Sequence, residues 1–169
     1  NQLNGWTNSG HGTATNTVPT TALFGPYGNV AANACVNCHV DHNASSAASP
    51  RLLRGYEEGV CSQCHSGASL NPALPNVLGE FSKSYVHPTT ALSGLHDAAE
   101  NTFPLNSSRH AECADCHNGH AASATGGSAS PPGIEAPLLG ASGYDGTSAR
   151  RPATNEYEVC YKCHADSTN

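Results

Sequence analysis

Cys35-Val36-Asn37-Cys38-His39-Val40-Asp41-His42 opens with a five-residue pattern, Cys-x-x-Cys-His, that returns at Cys61–His65, Cys113–His117 and Cys160–His164. These four copies use all eight cysteines of the chain. Two thiols at this spacing add across the two vinyl groups of a porphyrin, and the histidine right after the second thiol is aimed at the iron as its first axial ligand, so the pattern is the attachment signature of c-type haem. It predicts four covalently bound haem c groups, on Cys35 and Cys38, Cys61 and Cys64, Cys113 and Cys116, and Cys160 and Cys163, with His39, His65, His117 and His164 on the irons. Disulfides or four-thiolate zinc sites also use paired cysteines. Neither needs a histidine after every second cysteine, and chance would put one there in all four copies on the order of once in 10⁵ chains.

Composition points the same way. Of 169 residues, 37% are apolar, with one tryptophan, three phenylalanines and no methionine. Such a chain lacks the large side chains that normally fill a core, and without cofactors much of it would be called disordered. Four porphyrins replace the missing apolar mass, and thioether bonds tie the chain to them as disulfides tie a small secreted domain. The expected fold is mostly irregular coil with few short helices, wrapped around four stacked haems, with little or no β-sheet.

A chain that starts at Asn1 and holds no methionine is expected to have lost a signal peptide. That predicts a secreted protein, extracellular or on the cell surface, with the periplasm as the alternative. No apolar run approaches a membrane span. Methionine is also excluded as a second iron ligand, which leaves histidine, an open position or a rarer donor.

Four segments are predicted along the chain. Residues 1–34 form an N-terminal arm, rich in Gly, Asn and Thr and without helical or alternating period, expected to be extended or irregular. Its Trp6 and His11 are costly to leave idle, so docking on another subunit is a competing expectation. Residues 35–65 form a first dihaem unit, 66–112 a connector carrying distal histidines, and 113–169 a second dihaem unit. The connector contains the Pro-punctuated stretch Leu70–Pro75 and a short amphipathic segment around Gly79–Tyr85. The two dihaem units repeat one plan: Cys-x-x-Cys-His-x-x-His, then Leu52-Leu53 or Leu138-Leu139, then a second Cys-x-x-Cys-His. The first cysteines of the motifs lie 26 residues apart in one copy (35 to 61) and 47 in the other (113 to 160). The 21 extra residues are rich in Gly, Ser, Pro and Ala and are expected as surface loop. The plan is an internal duplication.

This arrangement resembles the doubled Cys-x-x-Cys-His multihaem cytochromes from about residue 35 onward, and Arg109-His110-Ala111-Glu112-Cys113-Ala114-Asp115-Cys116-His117-Asn118-Gly119-His120 fits their pattern closely. The first unit has no histidine three residues before Cys35. Four motifs, a short exported chain and a Gly/Asn-rich arm resemble more particularly the extracellular cytochrome filaments of metal-reducing bacteria, the outer-membrane cytochrome E type. That resemblance implies haems stacked in a continuous line with alternating parallel and T-shaped contacts, bis-histidine ligation, and subunits that polymerise. The implied partners are further copies of the chain, other redox proteins and extracellular electron acceptors.

Six histidines remain for four distal positions: His11, His42, His87, His96, His110 and His120. His42 and His120 follow a proximal histidine by three residues and cannot easily reach the far face of their own haem, so each is expected on a neighbouring iron, and His110 faces the same restriction. His42, His120, His110 and His87 are the expected ligands, with His11 in reserve and His96 next. If His11 or His42 binds an iron of the adjacent subunit, a coordinate bond crosses the interface.

The formal net charge is −6, which argues against nucleic acid as a partner, since no basic stripe exists. Asn43 and Asn106 open glycosylation sequons of the kind that arise by chance in Asn/Ser-rich chains. Three function classes remain. The expected one is an electron conduit, a filament subunit or else a monomeric periplasmic shuttle, in which protein sets spacing and potential. The others are a multihaem reductase, which needs an open iron and acid/base groups, and a structural fibre.

Overall fold

Two nine-residue helices, α4 (Glu57–His65) and α7 (Glu156–His164), end on a Cys-x-x-Cys-His motif and set the plan of the molecule. The computed structural model describes residues 2–18, 25–42, 50–67, 74–89, 111–128 and 130–165. His96, His110, the two sequons and the larger part of Leu70–Pro75 lie outside the described residues. The remaining helices are one or two turns long: α1 (Gln2–Asn8), α2 (Gly10–Thr13), α3 (Val30–Asn33), α5 (Val77–Glu80) and α6 (Cys113–Cys116). Among the described residues the only sheet is the two-stranded β1 (Gly143–Tyr144) and β2 (Ala149–Arg150), antiparallel with Gly143 opposite Arg150. The fold is thus mostly coil with few short helices, as the composition predicts.

The chain divides into two compact units. Among the described residues one holds 14–18, 25–42, 50–67, 74–89 and 111–113, and the other holds 2–13, 114–128 and 130–165.

In the first unit, α3 is capped by the Asn29 side chain, which accepts from Ala32 N at 2.8 Å, and runs into a 3-10 turn, Ala34–Asn37. The chain after this motif pairs with the Leu52-Leu53 segment: Val40 N donates to Leu52 O at 2.8 Å and Arg54 N to Cys38 O at 2.9 Å. Between them the turn Pro50–Leu52 holds Arg51 (φ 58°) and Leu52 (φ 64°) in the left-handed region, an unfavourable place for side chains other than glycine. Among the described residues of this unit the buried apolar side chains are Val18 and Val60. The connector helix α5 begins earlier than the expected 79–85 because the Asn76 side chain caps it, accepting from Gly79 N at 2.9 Å.

The second unit holds a small true core of Ile134, Ala141, Ala153 and Val159, against which Cys116, Leu138 and Leu139 pack. Ile134, Ala141 and Ala153 come from the residues that lengthen the second copy. The expected surface loop is therefore partly the core of this unit. Its small side chains let backbones approach closely, and α7 lies on β1 through them. The β1–β2 loop is held by Asp145, whose Oδ1 accepts from Thr147 N at 2.8 Å and Ser148 N at 2.7 Å, and these bonds hold its carboxyl well below the usual carboxylate range.

The start of the arm is helical rather than extended. No apolar stripe builds α1 and α2. Polar side chains do it by satisfying helix-end carbonyls and amides: Ser9, fully buried, donates from Oγ to Trp6 O at 2.9 Å and accepts from Gly12 N at 2.9 Å, and Thr13 Oγ1 donates to Ser9 O at 2.9 Å. The pair then docks on residues 119–122 of its own chain. Gly10 N donates to Ala122 O at 2.8 Å, and Gly5 lies so close to the backbone that a Cβ there would sit 2.7 Å from His120 O.

Candidate haem-binding sites

Each half of the sequence repeat carries its two motifs in two different ways. The first motif of each pair sits on a single tight turn, Ala34–Asn37 or α6, whereas the second closes a nine-residue helix. In α7 the spacing sorts the side chains cleanly. Glu158, Val159 and Lys162 are buried, while Tyr157, Cys160, Tyr161 and His164, at i, i+3, i+4 and i+7, form one exposed face, with the Tyr157 and Tyr161 rings 5.3 Å apart. Helical geometry makes such positions neighbours. One side of α7 thus holds the protein and the other presents a thiol, an imidazole and two aromatic rings. α4 keeps the buried valine, Val60 in the place of Val159, but the positions matching the α7 face are Glu58, Cys61, Ser62 and His65, all half-buried and without an aromatic ring.

The proximal histidines of the two first motifs share one contact. His39 Nδ1 lies 3.0 Å from Arg51 O, and His117 Nδ1 lies 2.9 Å from Pro137 O. Both carbonyls belong to the residue just before the Leu-Leu pair, in the 3-10 turns Pro50–Leu52 and Ala136–Leu138. A carbonyl only accepts, so Nδ1 carries the proton and the lone pair is on Nε2. This is the tautomer in which a metal-bound histidine is normally held by its surroundings. The Leu-Leu repeat, visible in the sequence without a role, marks where that carbonyl is delivered.

His11 has the same arrangement. Its Nδ1 lies 3.0 Å from Gly119 O, its ring stacks on Trp6 at 6.3 Å, and His120 meets the other part of Trp6 edge-on at 6.5 Å. The structure therefore brings Trp6, His11 and His120 together beside the third motif. His42 is exposed, with Nε2 3.4 Å from the Asp41 carboxylate. His87 is exposed at the end of the connector segment.

All eight cysteines are free thiols, and among the described residues no cluster of three or more His, Cys, Asp or Glu is placed to hold a bare metal ion. Burial pushes the Cys38, Cys64 and Cys116 thiols up. A hydrogen bond to Cys113, together with burial, pushes Cys61 up as well, and the same bond pulls Cys113 down.

The residues fit a covalently attached porphyrin on three counts of this structure: thiol pairs at helix or turn spacing, with Cys35, Cys160 and Cys163 exposed, the His39 and His117 rings fixed in the ligating tautomer, and the exposed Tyr157 and Tyr161 rings beside the fourth thiol pair. Residues 28–70, spanning the first pair of motifs, match the family described as the doubled CXXCH motif. That match supports a multihaem c-type cytochrome. Its motifs indicate covalently bound haem c, and such cytochromes point to electron transfer, although some are enzymes. No curated protein and no solved structure matches the chain.

Sequence reasoning gave no role to the Arg51 and Pro137 carbonyls, and did not single out the Asp115 and Lys162 pair. The first had a signal, since both carbonyls precede a repeated Leu-Leu. The second had none, because the pair joins residues 47 apart.

Proposed function

We propose that this chain is a tetrahaem c-type cytochrome that conducts electrons between closely spaced haems, working outside the cytoplasm. The observation that carries it is the repeated histidine-to-carbonyl contact, which presets His39 and His117 as ligands in both halves of the duplication. When bound, haem iron supplies the one-electron couple, and the protein sets its ligation, spacing and surroundings. Cys35, Cys38, Cys61, Cys64, Cys113, Cys116, Cys160 and Cys163 bear the thioethers, and His39, His65, His117 and His164 the first axial bonds. His11, His42, His87, His110 and His120 are the pool of second ligands. Among these His11 moves to the front, because its Nδ1 is already committed to Gly119 O.

The resemblance to filament cytochromes, the shortage of apolar residues and the surplus histidines support a homopolymeric filament that passes electrons to extracellular acceptors. A monomeric shuttle is the second reading, favoured by the docking of α1 and α2 on their own chain. Intact-mass measurement, carbon monoxide binding and negative-stain imaging of the secreted protein test these together. Four covalent haems, six-coordinate reduced irons that bind little carbon monoxide, and filaments are expected. Globular particles with the same spectra select the shuttle, a carbon-monoxide-binding fraction near one iron in four selects a reductase, and absence of covalent haem overturns the whole reading.

A further inference from the structure

Lys162 and Asp115 hold corresponding places in two different attachment motifs, each just before the second cysteine, in Cys160-Tyr161-Lys162-Cys163-His164 and Cys113-Ala114-Asp115-Cys116-His117. Both are buried, Lys162 at 2% exposure and Asp115 at 8%. The ammonium donates to the Asp115 carbonyl and to Ser142 Oγ at 3.1 Å, with the Asp115 carboxylate 3.9 Å away. Taking a lysine out of water is unfavourable and is tolerated when partners of this kind surround it.

The first half shows that the motif pair does not need such a charge in order to fold. There the same two positions are Asn37 and Gln63, and Asn37 Nδ2 turns back on its own segment, to Val30 O at 2.7 Å and Ala34 O at 3.0 Å. The nine-residue helix, its buried valine and the histidine-to-carbonyl contact are kept without any buried ion. The first motif does have a cation, Arg54, whose Nε donates to Val36 O at 2.7 Å, but Arg54 is only half-buried and water screens it.

We infer that Lys162 is a potential-tuning residue, whose buried ammonium, held on the backbone of the third motif, raises the reduction potential of the haem on Cys113 and Cys116 and, less strongly, of the haem on Cys160 and Cys163. Oxidation adds one positive charge to a haem, and a fixed cation beside it in a water-poor interior opposes that charge. Asp115 acts with the opposite sign. The inference rests on the proposed attachment of haem at these motifs.

Holoprotein of Lys162→Gln, Lys162→Arg and Asp115→Asn, titrated by spectroelectrochemistry with haem methyl resonances followed by NMR, tests it. In Lys162→Gln the ferrous-to-ferric ratio of the second-unit haems at fixed potential falls about tenfold, a downward shift of about 59 mV for a one-electron couple. Lys162→Arg keeps the original ratio within about threefold, and Asp115→Asn moves it upward. A merely structural link predicts that Lys162→Gln and Asp115→Asn shift the ratio in the same direction or not at all, and either result with four haems attached overturns the tuning role. If Lys162→Gln does not fold, Asp115→Asn decides alone, an unmoved or lowered potential counting against the inference. Absence of haem from the unmodified protein overturns instead the underlying reading of the motifs.

Discussion

The two halves of this molecule reach the same histidine contact by opposite means. In the first, the carbonyl for His39 comes from a turn in which Arg51 and Leu52 adopt positive φ, and among the described residues of that half the buried apolar side chains are Val18 and Val60. In the second, the carbonyl for His117 comes from Pro137, the bend is completed by Gly140 at φ 75°, and an insertion contributes a core under it. The same division runs through the helices. The amino end of α7 is satisfied by Glu158, which accepts from Thr154 N at 2.7 Å and Asn155 N at 3.2 Å. The corresponding residue of α4 is Gly59 and offers no side chain. What is shared between the halves is the histidine-to-carbonyl contact, and what differs is the support beneath it.

This contrast can be broken first at the core. Ile134→Ala is expected to lower the unfolding free energy of the holoprotein by about 2–4 kcal/mol, while Val60→Ala in the first half costs about 1–2 kcal/mol, as read by denaturant titration. Equal losses would show that the insertion adds no stability of its own. At the turns the two halves should answer with opposite signs. Gly140→Ala is destabilising by about 1–3 kcal/mol, since φ is positive and the new Cβ would lie 2.5 Å from that of Ala121. Arg51→Gly relieves a left-handed side chain and stabilises by about 1 kcal/mol.

The smallest effect concerns the α7 cap. Burial alone would raise the Glu158 carboxyl, but the Thr154 and Asn155 amides outweigh it and hold the group below its usual range. A lowered folded value means stabilisation that is complete above the unfolded value of 4.5 and disappears as pH falls through the folded one. Glu158→Gln is expected to cost about 1 kcal/mol at pH 7. Melting curves should show that gap closing progressively below about pH 4.5, and a gap that persists at pH 2 would assign the role of Glu158 to packing.

Much of the candidate site is legible in the sequence because the attachment signature is local: thiols three apart and an adjoining histidine, with no folding needed to bring them together. Among the described residues, the sparse helices and the single two-stranded sheet followed from the shortage of large apolar residues. What escaped was made by backbone or by small groups. The α1 and α2 helices rest on Ser9 and Thr13 bonding to main chain, which leaves no apolar period. The core of the second unit relies on Ala141 and Ala153, residues whose value lies in how close they let neighbours come. The carbonyls of Arg51 and Pro137 have no side-chain signature at all.

Finally, α1 and α2 are separated from their docking surface, the stretch around Gly119 and Ala122, by more than a hundred residues: His11 and Gly119 are 108 apart. A contact of such sequence separation forms late. The local turns of the third motif can therefore form before α1 and α2 dock beside them, and the docked pair closes the longest loop among the described hydrogen bonds of its unit.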